Sequence, residues 1–272
     1  FSNKFQITFT FNNQRVQSEK GKKSYFFNTA TFIESGYLLD KTGIGKNKLQ
    51  GNQKTVFGVP FTEFFGIDND LRYYQQLGRT RSMAFRLLTG IGKPFGNSIS
   101  LPYESSFYAG GSNDLRAWEA RTIAPGGTQT WNDTTATNTQ IGDMRLELNI
   151  EYRFQFSSVL KAAWFIDAGN IWKLKTDSST VGSAIGEFNP GTFINQIAVG
   201  GGFGLRLDFD FFIMRVDLAI PLHNPYMFKG ERWIWQERTM YDAAFNDLPT
   251  SYSSTLKGPF SPRWNIGIGY PF

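Results

Sequence analysis

Side chains that commonly perform chemistry are scarce in this chain of 272 residues, which has no cysteine and a single histidine, His223. The lack of cysteine excludes thiol nucleophiles, disulfide frameworks and cysteine-based zinc sites. A nucleophile activated by histidine would have to use His223, and no G-x-S-x-G turn accompanies it. The sequence therefore predicts a protein that is not an enzyme, with no catalytic residues and no bound metal or cofactor.

The basic residues do not form a recognisable nucleic-acid surface. The formal net charge is +5, and Lys and Arg are spread among Asp and Glu along the chain. The densest basic run, from Lys20 to Lys23, lies in a polar stretch that is typical of a solvated turn. We therefore expect no nucleic-acid partner.

Charged residues instead alternate with apolar ones, most clearly in the eleven residues from Met144 to Phe154. This period of two indicates a β-strand with one face in an apolar medium and the other in water. A tilted strand crosses a bilayer with roughly 9 to 11 residues, whereas soluble sheets show such alternation over shorter lengths. An arginine should accordingly be tolerated at Asn149 but not at Leu148 or Ile150.

The composition excludes a helical membrane protein and a disordered chain. No stretch approaches the roughly 20 apolar residues that a membrane-spanning helix needs, and no signal peptide begins at Phe1. Aromatic residues make up 17% of the chain, with 27 Phe, 11 Tyr and 7 Trp, which is far too many for a chain without a core.

Nine segments show the strand pattern, with ends defined to within a few residues. They cover 3–16, 22–38, 62–77, 79–92, 142–155, 160–172, 194–208, 211–222 and 262–272. The connections near 17–21, 77–79, 156–159 and 208–211 are short. The connections near 39–61, 93–141, 173–193 and 223–261 are long and rich in Gly, Pro, Asn, Ser and Thr.

Short and long connections alternate strictly along the chain. In an up-and-down meander this order places every long loop at one end, as in outer-membrane barrels with short periplasmic turns and long extracellular loops. A soluble β-sandwich gives no reason for such segregation. The predicted fold is therefore all-β, an antiparallel up-and-down transmembrane β-barrel over residues 1–272, with its four long loops extracellular.

Nine strands do not fit a complete bacterial single-chain barrel, because such barrels have an even number of strands. Either one strand is missed or split, or the chain is part of a larger barrel. The first strand begins near Phe5 with no leader or soluble domain before it. We favour a fragment, or a processed chain, over a complete short barrel.

A family resemblance becomes specific in the longest loop and in the strands that follow it. Phe107 to Trp118, followed by Arg121 and Pro125-Gly126-Gly127, resembles the F-x-A-G-G, V-R-G-F/W and G-P-G signature of the BamA/TamA superfamily of outer-membrane assembly proteins. The segments 164–172 and 264–272 are similar to the family's F-x-D-x-G-x-x-W strand and its closing strand. The sequences of Arg72-Tyr73-Tyr74 and of segment 101–103 most resemble those of Bacteroidetes members of the family. The residues of the loop motif are Gly110, Gly111, Leu115, Ala117, Trp118, Pro125 and Gly126, with Arg116 among them.

The resemblance implies a barrel of about sixteen strands in the outer membrane of a Gram-negative bacterium. This chain would supply roughly the C-terminal nine strands and no POTRA domain. In the family the motif arginine enters the barrel lumen and pairs with acids on two neighbouring wall strands, which here are Arg116, Glu151 and Asp167. The alternation places both acids on the lumen face of their strands. Ala117 departs from the glycine that many members carry, so the turn after Arg116 can differ.

Two further groups of residues have more than one interpretation. Gly267, Gly269, Tyr270 and Phe272 would form a closing strand with a weak seam, because Pro271 between them cannot donate a ladder hydrogen bond, although any barrel can end this way. We expect Arg145, Glu147 and Arg206 to belong to a general ladder of charges on the wall.

Two classes of function remain open. The first is a barrel that folds or inserts nascent outer-membrane proteins, or translocates polypeptide. Its partners would be outer-membrane lipid, nascent outer-membrane proteins as clients, and periplasmic or lipoprotein accessory subunits. The alternative is a passive outer-membrane pore or a structural surface antigen.

Overall fold

The computed structural model describes residues 1–15, 23–44, 47–48, 53–129, 140–175, 183–209, 211–246 and 258–272. In this part of the chain β-strands dominate, and two short α-helices lie in the loops. The strands are β1 (Lys4–Asn12), β2 (Ser24–Ser35), β3 (Asn47–Lys48), β4 (Lys54–Val56), β5 (Val59–Pro60), β6 (Phe64–Gln76), β7 (Arg81–Pro94), β8 (Met144–Gln155), β9 (Leu160–Trp172), β10 (Ala198–Asp208), β11 (Ile213–His223) and β12 (Arg263–Ile268). The helices are α1 (Tyr37–Lys41) and α2 (Thr239–Asn246).

One antiparallel sheet of nine strands forms the wall, in the order β1-β2-β6-β7-β8-β9-β10-β11-β12. Each strand pairs with its neighbours along the chain, so the up-and-down meander and all nine predicted segments are confirmed. The long connection between β2 and β6 also contains a second sheet, β3-β4-β5, which the alternation did not predict because its strands have only two or three residues.

The end of the last strand differs from its prediction. β12 stops at Ile268, and Gly269 follows with a left-handed φ of +82° that a strand cannot accommodate. Gly269, Tyr270 and Phe272 therefore lie outside the closing strand in which the sequence had placed them.

The two faces of the wall have the inverse polarity of a soluble sheet. Trp164 and Ile166 of β9 are 59% and 52% exposed, while Asp167 between Ile166 and Ala168 has no exposed surface. The same alternation continues in β12, where Trp264 and Ile266 are exposed. Apolar side chains thus face outward and charged ones face inward, as expected for a barrel wall in a membrane. None of the helices in the described ranges is long and apolar enough to span a membrane.

The long connection between β7 and β8 folds back against the inner face. Its residues Leu115, Ala117 and Trp118 pack with Phe165 of β9 and Ala219 of β11 in one buried apolar cluster. The inner face of β1 has no such cover, since all nine of its residues are exposed. The core therefore lies in the lumen between this loop and strands β9 to β11.

The sheet is open at both edges in the described part of the chain. β1 pairs only with β2, and β12 pairs only with β11 over six residues, from Arg263 to Ile268. The expected total of about sixteen strands stays a prediction.

Candidate functional site

The side chain of Arg116 is buried at the innermost turn of the β7–β8 loop. Its Nε donates to Oδ2 of Asp167 and its Nη2 to Oδ1 of the same carboxylate, each at 2.8 Å. The backbone N–H of Arg116 also donates to Oδ2 of Asp167, at 3.2 Å. The planar guanidinium and the carboxylate therefore meet as a two-pronged pair, which is stronger and more directional than a single ion contact.

Two further acids pair with Arg116: Glu151, and Asp217, whose Oδ2 lies 3.8 Å from Nη1 of Arg116. The Nη1 of Arg116 donates to Oε2 of Glu151 at 2.8 Å, and the guanidinium lies 3.4 Å from the centre of the Phe165 ring. The carbonyl of Arg116 accepts a 2.9 Å hydrogen bond from Nδ2 of Asn265 on β12. The structure thus brings together the three side chains that the sequence singled out, and adds Asn265, which the sequence reasoning had not singled out.

The pairing of β8 with β9 fixes the geometry of the two acids. Asn149 is the register partner of Asp167, and Glu151 is the partner of Phe165. Asn149 donates from Nδ2 to Oδ1 of Asp167 at 3.0 Å and to the carbonyl of Asp114 at 2.9 Å. Asn149 is completely buried by the loop. The expectation that an arginine is tolerated there is therefore wrong, because this part of the lumen face holds protein and not water.

Further charges on β10 and β11 extend the network. Arg206 donates to Oε2 of Glu151 at 3.3 Å and to Oδ1 of Asp217 at 2.6 Å, and Arg215 donates to Oδ2 of Asp217 at 3.4 Å. Arg206 has no exposed surface. The prediction that Arg206 belongs to a ladder of wall charges agrees with its cross-strand partners Lys161 and Arg215, and Arg206 also contacts an acid that binds Arg116. Its inward phase was readable from the sequence, but the acids within its reach were not.

The other two residues of the predicted ladder behave differently from each other. Arg145 pairs with Asp68 on β6 at 3.1 Å. Glu147 is fully buried, and neither carboxylate oxygen has a hydrogen-bond partner among the described residues. Glu147 is thus a buried acid beside the network and not a rung of a ladder.

The tip of the loop has a second attachment on β7. Nη1 of Arg86 donates to the carbonyl of Asn113 at 3.0 Å and to Oδ1 of Asp114 at 3.2 Å. Arg86 also holds both oxygens of Asp70 at 3.0 Å. Strands β7, β8, β9 and β12 therefore all contact the segment from Asn113 to Arg116.

Two glycines set the backbone conformation of the first part of the β7–β8 loop. Gly110 and Gly111 have φ of +92° and +109°, values that favour glycine. At Gly110 a Cβ would also collide with the carbonyl of Glu119. Ala117 is not among the residues with positive φ, which explains why alanine fits where many family members carry glycine.

Hydrogen bonds hold the later part of the loop, around Gly126, near the end of β9. Gly126, with φ of +61°, donates its N–H to the carbonyl of Ile171 at 2.7 Å, and its carbonyl accepts from Nδ2 of Asn170 at 2.6 Å. The half-buried Pro125 precedes it. The hydroxyl of Tyr226 donates to the carbonyl of Ala124 at 3.3 Å, and burial raises the pKa of Tyr226 well above its ordinary value, so it stays a donor.

The chain after β12 turns into the lumen instead of extending the wall. Nη2 of Arg153 donates to the carbonyl of Phe272 at 3.0 Å, and the Arg153 guanidinium lies 4.4 Å from the centre of the Tyr270 ring. Gly267 makes room for another arginine, because a Cβ there would lie 2.6 Å from Nε of Arg215. Of the predicted seam residues, only Gly267 is therefore part of the edge strand.

The described residues contain no group of three or more His, Asp or Glu side chains that could hold a metal ion. What the arrangement can do is to hold a long loop against the inner face of the wall.

Comparison with known proteins identifies the family of this chain. Residues 1–236 match the model of the Omp85 superfamily domain. The chain belongs to the Omp85 superfamily. Like its relatives, this Omp85 chain is a β-barrel protein of the bacterial outer membrane. The similarity to Bacteroidetes members in particular stays a prediction.

Two individual relatives show how far the similarity extends. The outer membrane protein assembly factor BamA of Neisseria meningitidis serogroup B (strain ATCC BAA-335 / MC58) is 21% identical over 194 residues, which are 66% of this chain and 24% of that protein. The crystal structure of BamA from Haemophilus ducreyi lacking POTRA domains 1–3 is 12% identical, with a TM-score of 0.46, and the match covers 81% of this chain and 51% of that one. The Omp85 chain thus spans about a quarter of the length of the curated relative.

Removal of the Arg116 guanidinium should release the loop. Arg116→Ala leaves the buried carboxylates of Asp167 and Glu151 without this counter-charge, and breaking a buried pair in this way costs about 3–5 kcal/mol. We expect a lower free energy of unfolding and rapid proteolysis within the β7–β8 loop, measured by urea titration and by limited digestion of the folded barrel.

Three variants serve as controls for the Arg116 prediction. Arg116→Lys should restore protection only in part, because an ammonium cannot make the two-pronged contact. Glu151→Gln and Asp167→Asn should expose the loop as well, and each should combine less than additively with Arg116→Ala. Unchanged protease protection in Arg116→Ala would contradict the anchor.

Two adjacent glycines of β10 provide a steric test of the same loop. A Cβ at Gly200 would lie 2.6 Å from Cβ of Ala117, whereas one at Gly201 points outward and would lie 3.0 Å from the mobile tip of Leu222. Gly200→Ala should therefore displace the loop and expose it to protease, while Gly201→Ala should leave it protected. Equal protection in both variants would show that the loop does not pack on β10.

Proposed function

We propose that this Omp85 chain is the membrane barrel of a factor that folds or inserts nascent outer-membrane proteins. The single observation that carries the proposal is the buried Arg116, which fastens the long loop to Asp167 and Glu151 on one side of the wall. In this proposal Arg116, Glu151 and Asp167 act as the loop anchor, and the family membership and the name of the curated relative support it.

The anchor lies beside the edge of the described sheet that β12 forms. Strands β7 to β12 contact the loop or its charges, and the far edge of β12 has no partner among the described strands. An unpaired edge presents a row of backbone N–H and C=O groups that can pair with another strand. We infer that a client strand is templated at such an edge while the anchored side keeps its shape.

A passive pore fits the lumen less well. The buried cluster of Leu115, Trp118, Ile123, Phe165 and Tyr226 fills the space between the loop and the wall. A porin keeps a polar, water-filled channel through its lumen. The filled lumen therefore favours a structural or assembly role over the conduction of small solutes.

The experiment that tests the proposal measures insertion of a substrate barrel. The full-length protein in liposomes should accelerate folding of an unfolded outer-membrane protein compared with empty liposomes, and Arg116→Ala should reduce this acceleration. Lys93→Gln, which changes an exposed charge near the end of β7 away from the anchor, is the matched control. Large steady single-channel currents without any acceleration would support the passive pore instead.

The proposal also includes an orientation and partners. Long loops would lie outside the cell and the short turns in the periplasm, where periplasmic or lipoprotein accessory subunits would bind. Because the chain has no cysteine, single cysteines report on each side without background. On intact cells an impermeant maleimide should label Asn246→Cys at the end of α2 but not Ser158→Cys in the β8–β9 turn. Labelling of Ser158→Cys alone would invert the orientation.

A further inference from the structure

Strand β12 has a short backbone ladder for a strand at the edge of the described sheet. It pairs with β11 over only six residues, from Arg263 to Ile268, whereas β8 pairs with β9 over twelve. Its outward side chains Trp264 and Ile266 are 71% and 75% exposed, as expected for residues that face lipid. Side-chain support for β12 must therefore come from its inner face.

Asn265 connects the inner face of β12 to the β7–β8 loop. Its Nδ2 donates to the carbonyl of Arg116 at 2.9 Å. The same residue of the loop has its guanidinium paired with Asp167 and Glu151, so these ion pairs fix the position of its backbone as well. The hydrogen bond from β12 thus ends on the residue that anchors the loop.

The two neighbouring inner positions of β12 also lie against the loop or against a residue that binds it. Arg263 forms an ion pair with Glu119 of the loop. A Cβ at Gly267 would lie 2.6 Å from Nε of Arg215, whose Nη2 donates to Oδ1 of Asn113 in the loop. Every inner position from Arg263 to Gly267 is therefore in contact with the loop, directly or through Arg215.

These contacts differ in how much they hold the strand. Glu119 is half-exposed, and an exposed ion pair contributes little to stability. Gly267 contributes only space for Arg215. Arg116 has no exposed surface, and a buried carbonyl that loses its donor costs more than a lost pair at the surface. Asn265 is therefore the principal link between the loop and β12.

We propose that Asn265 is the positioning residue through which the anchored loop holds the edge strand β12, with Arg263 as a second contact. The inference deepens the proposed function and rests on it, because it names the residues that keep the templating edge in line for a client strand. A strand edge offers a regular row of N–H and C=O groups only while the strand stays aligned with its sheet. The acids on β8 and β9 thereby act on an edge to which they do not belong.

The test measures hydrogen–deuterium exchange of the full-length protein in nanodiscs, by mass spectrometry of peptides that contain β12. Asn265→Leu keeps the size of the side chain and removes the donor. We expect exchange in β12 to become about tenfold faster, because a buried acceptor loses its partner, while a peptide from β9 exchanges as in the wild type. The loop should stay protected from protease, because Arg116 keeps both of its acids.

Insertion of a substrate barrel provides the functional measurement. Asn265→Leu should reduce the acceleration of insertion severalfold, although its loop remains anchored. Ile266→Leu changes the neighbouring outward position and serves as the matched control, with exchange and insertion as in the wild type. Arg116→Ala should also speed exchange in β12, and adding Asn265→Leu to it should have little further effect, since both variants break the same link.

The outcomes separate this inference from the proposed function. Unchanged exchange of β12 in Asn265→Leu would overturn the inference, and so would an equal increase in β9, which would indicate general destabilisation. Faster exchange in β12 with unchanged insertion would overturn the role of Asn265 in presenting the edge. A wild type that does not accelerate insertion, together with faster exchange confined to β12 in Asn265→Leu, would remove the assembly role and leave the link between loop and edge in place.

Discussion

A guanidinium without any contact to water has to find its counter-charges within the protein, and the position of Arg116 follows from this requirement. Taking such an ion out of water costs several kcal/mol, which only well-aligned carboxylates can offset. Asp167 and Glu151 do so from two neighbouring strands at 2.8 Å. Loop position and strand register are thereby coupled, since a slip of one residue would turn each acid toward the membrane.

Small residues make this coupling sterically possible. Gly200 admits Ala117 of the loop, Gly204 leaves space for the pair of Arg206 and Asp217, and Gly267 leaves space for Arg215. Each of these glycines faces the lumen, where a Cβ would displace either the loop or a charged partner. Gly204 and Gly267 thus make room for charged groups that the wall encloses, and Gly200 makes room for the loop.

The anchored loop ties together one continuous part of the wall. The loop, the apolar cluster and the ion network contact every strand from β7, through Arg86, to β12, through Asn265. The free edge of β12 in the described sheet lies directly beside this support, which suits the proposed templating of a client strand.

The sequence by itself determined the nine strands, the segregation of short and long connections and the inward phase of Glu151 and Asp167. These features follow from local backbone geometry, since side chains alternate along any strand and each strand can be read alone. The pairing of Arg116 with those acids came from the motif of the loop. It could not come from periodicity, because a loop has none.

Only the tertiary structure decided which inward-facing charges meet. Arg206 and Asn265 contact the anchor, and Arg215 contacts Asn113 of the loop. Glu147 has no hydrogen-bond partner among the described residues, and Asn149 is fully buried. The inward turn of Tyr270 and Phe272 after Gly269 could not be predicted from the sequence either. Alternation tells which face a side chain occupies, but the curvature of the sheet and the depth of the loop set the distances between strands, and those distances select the partners.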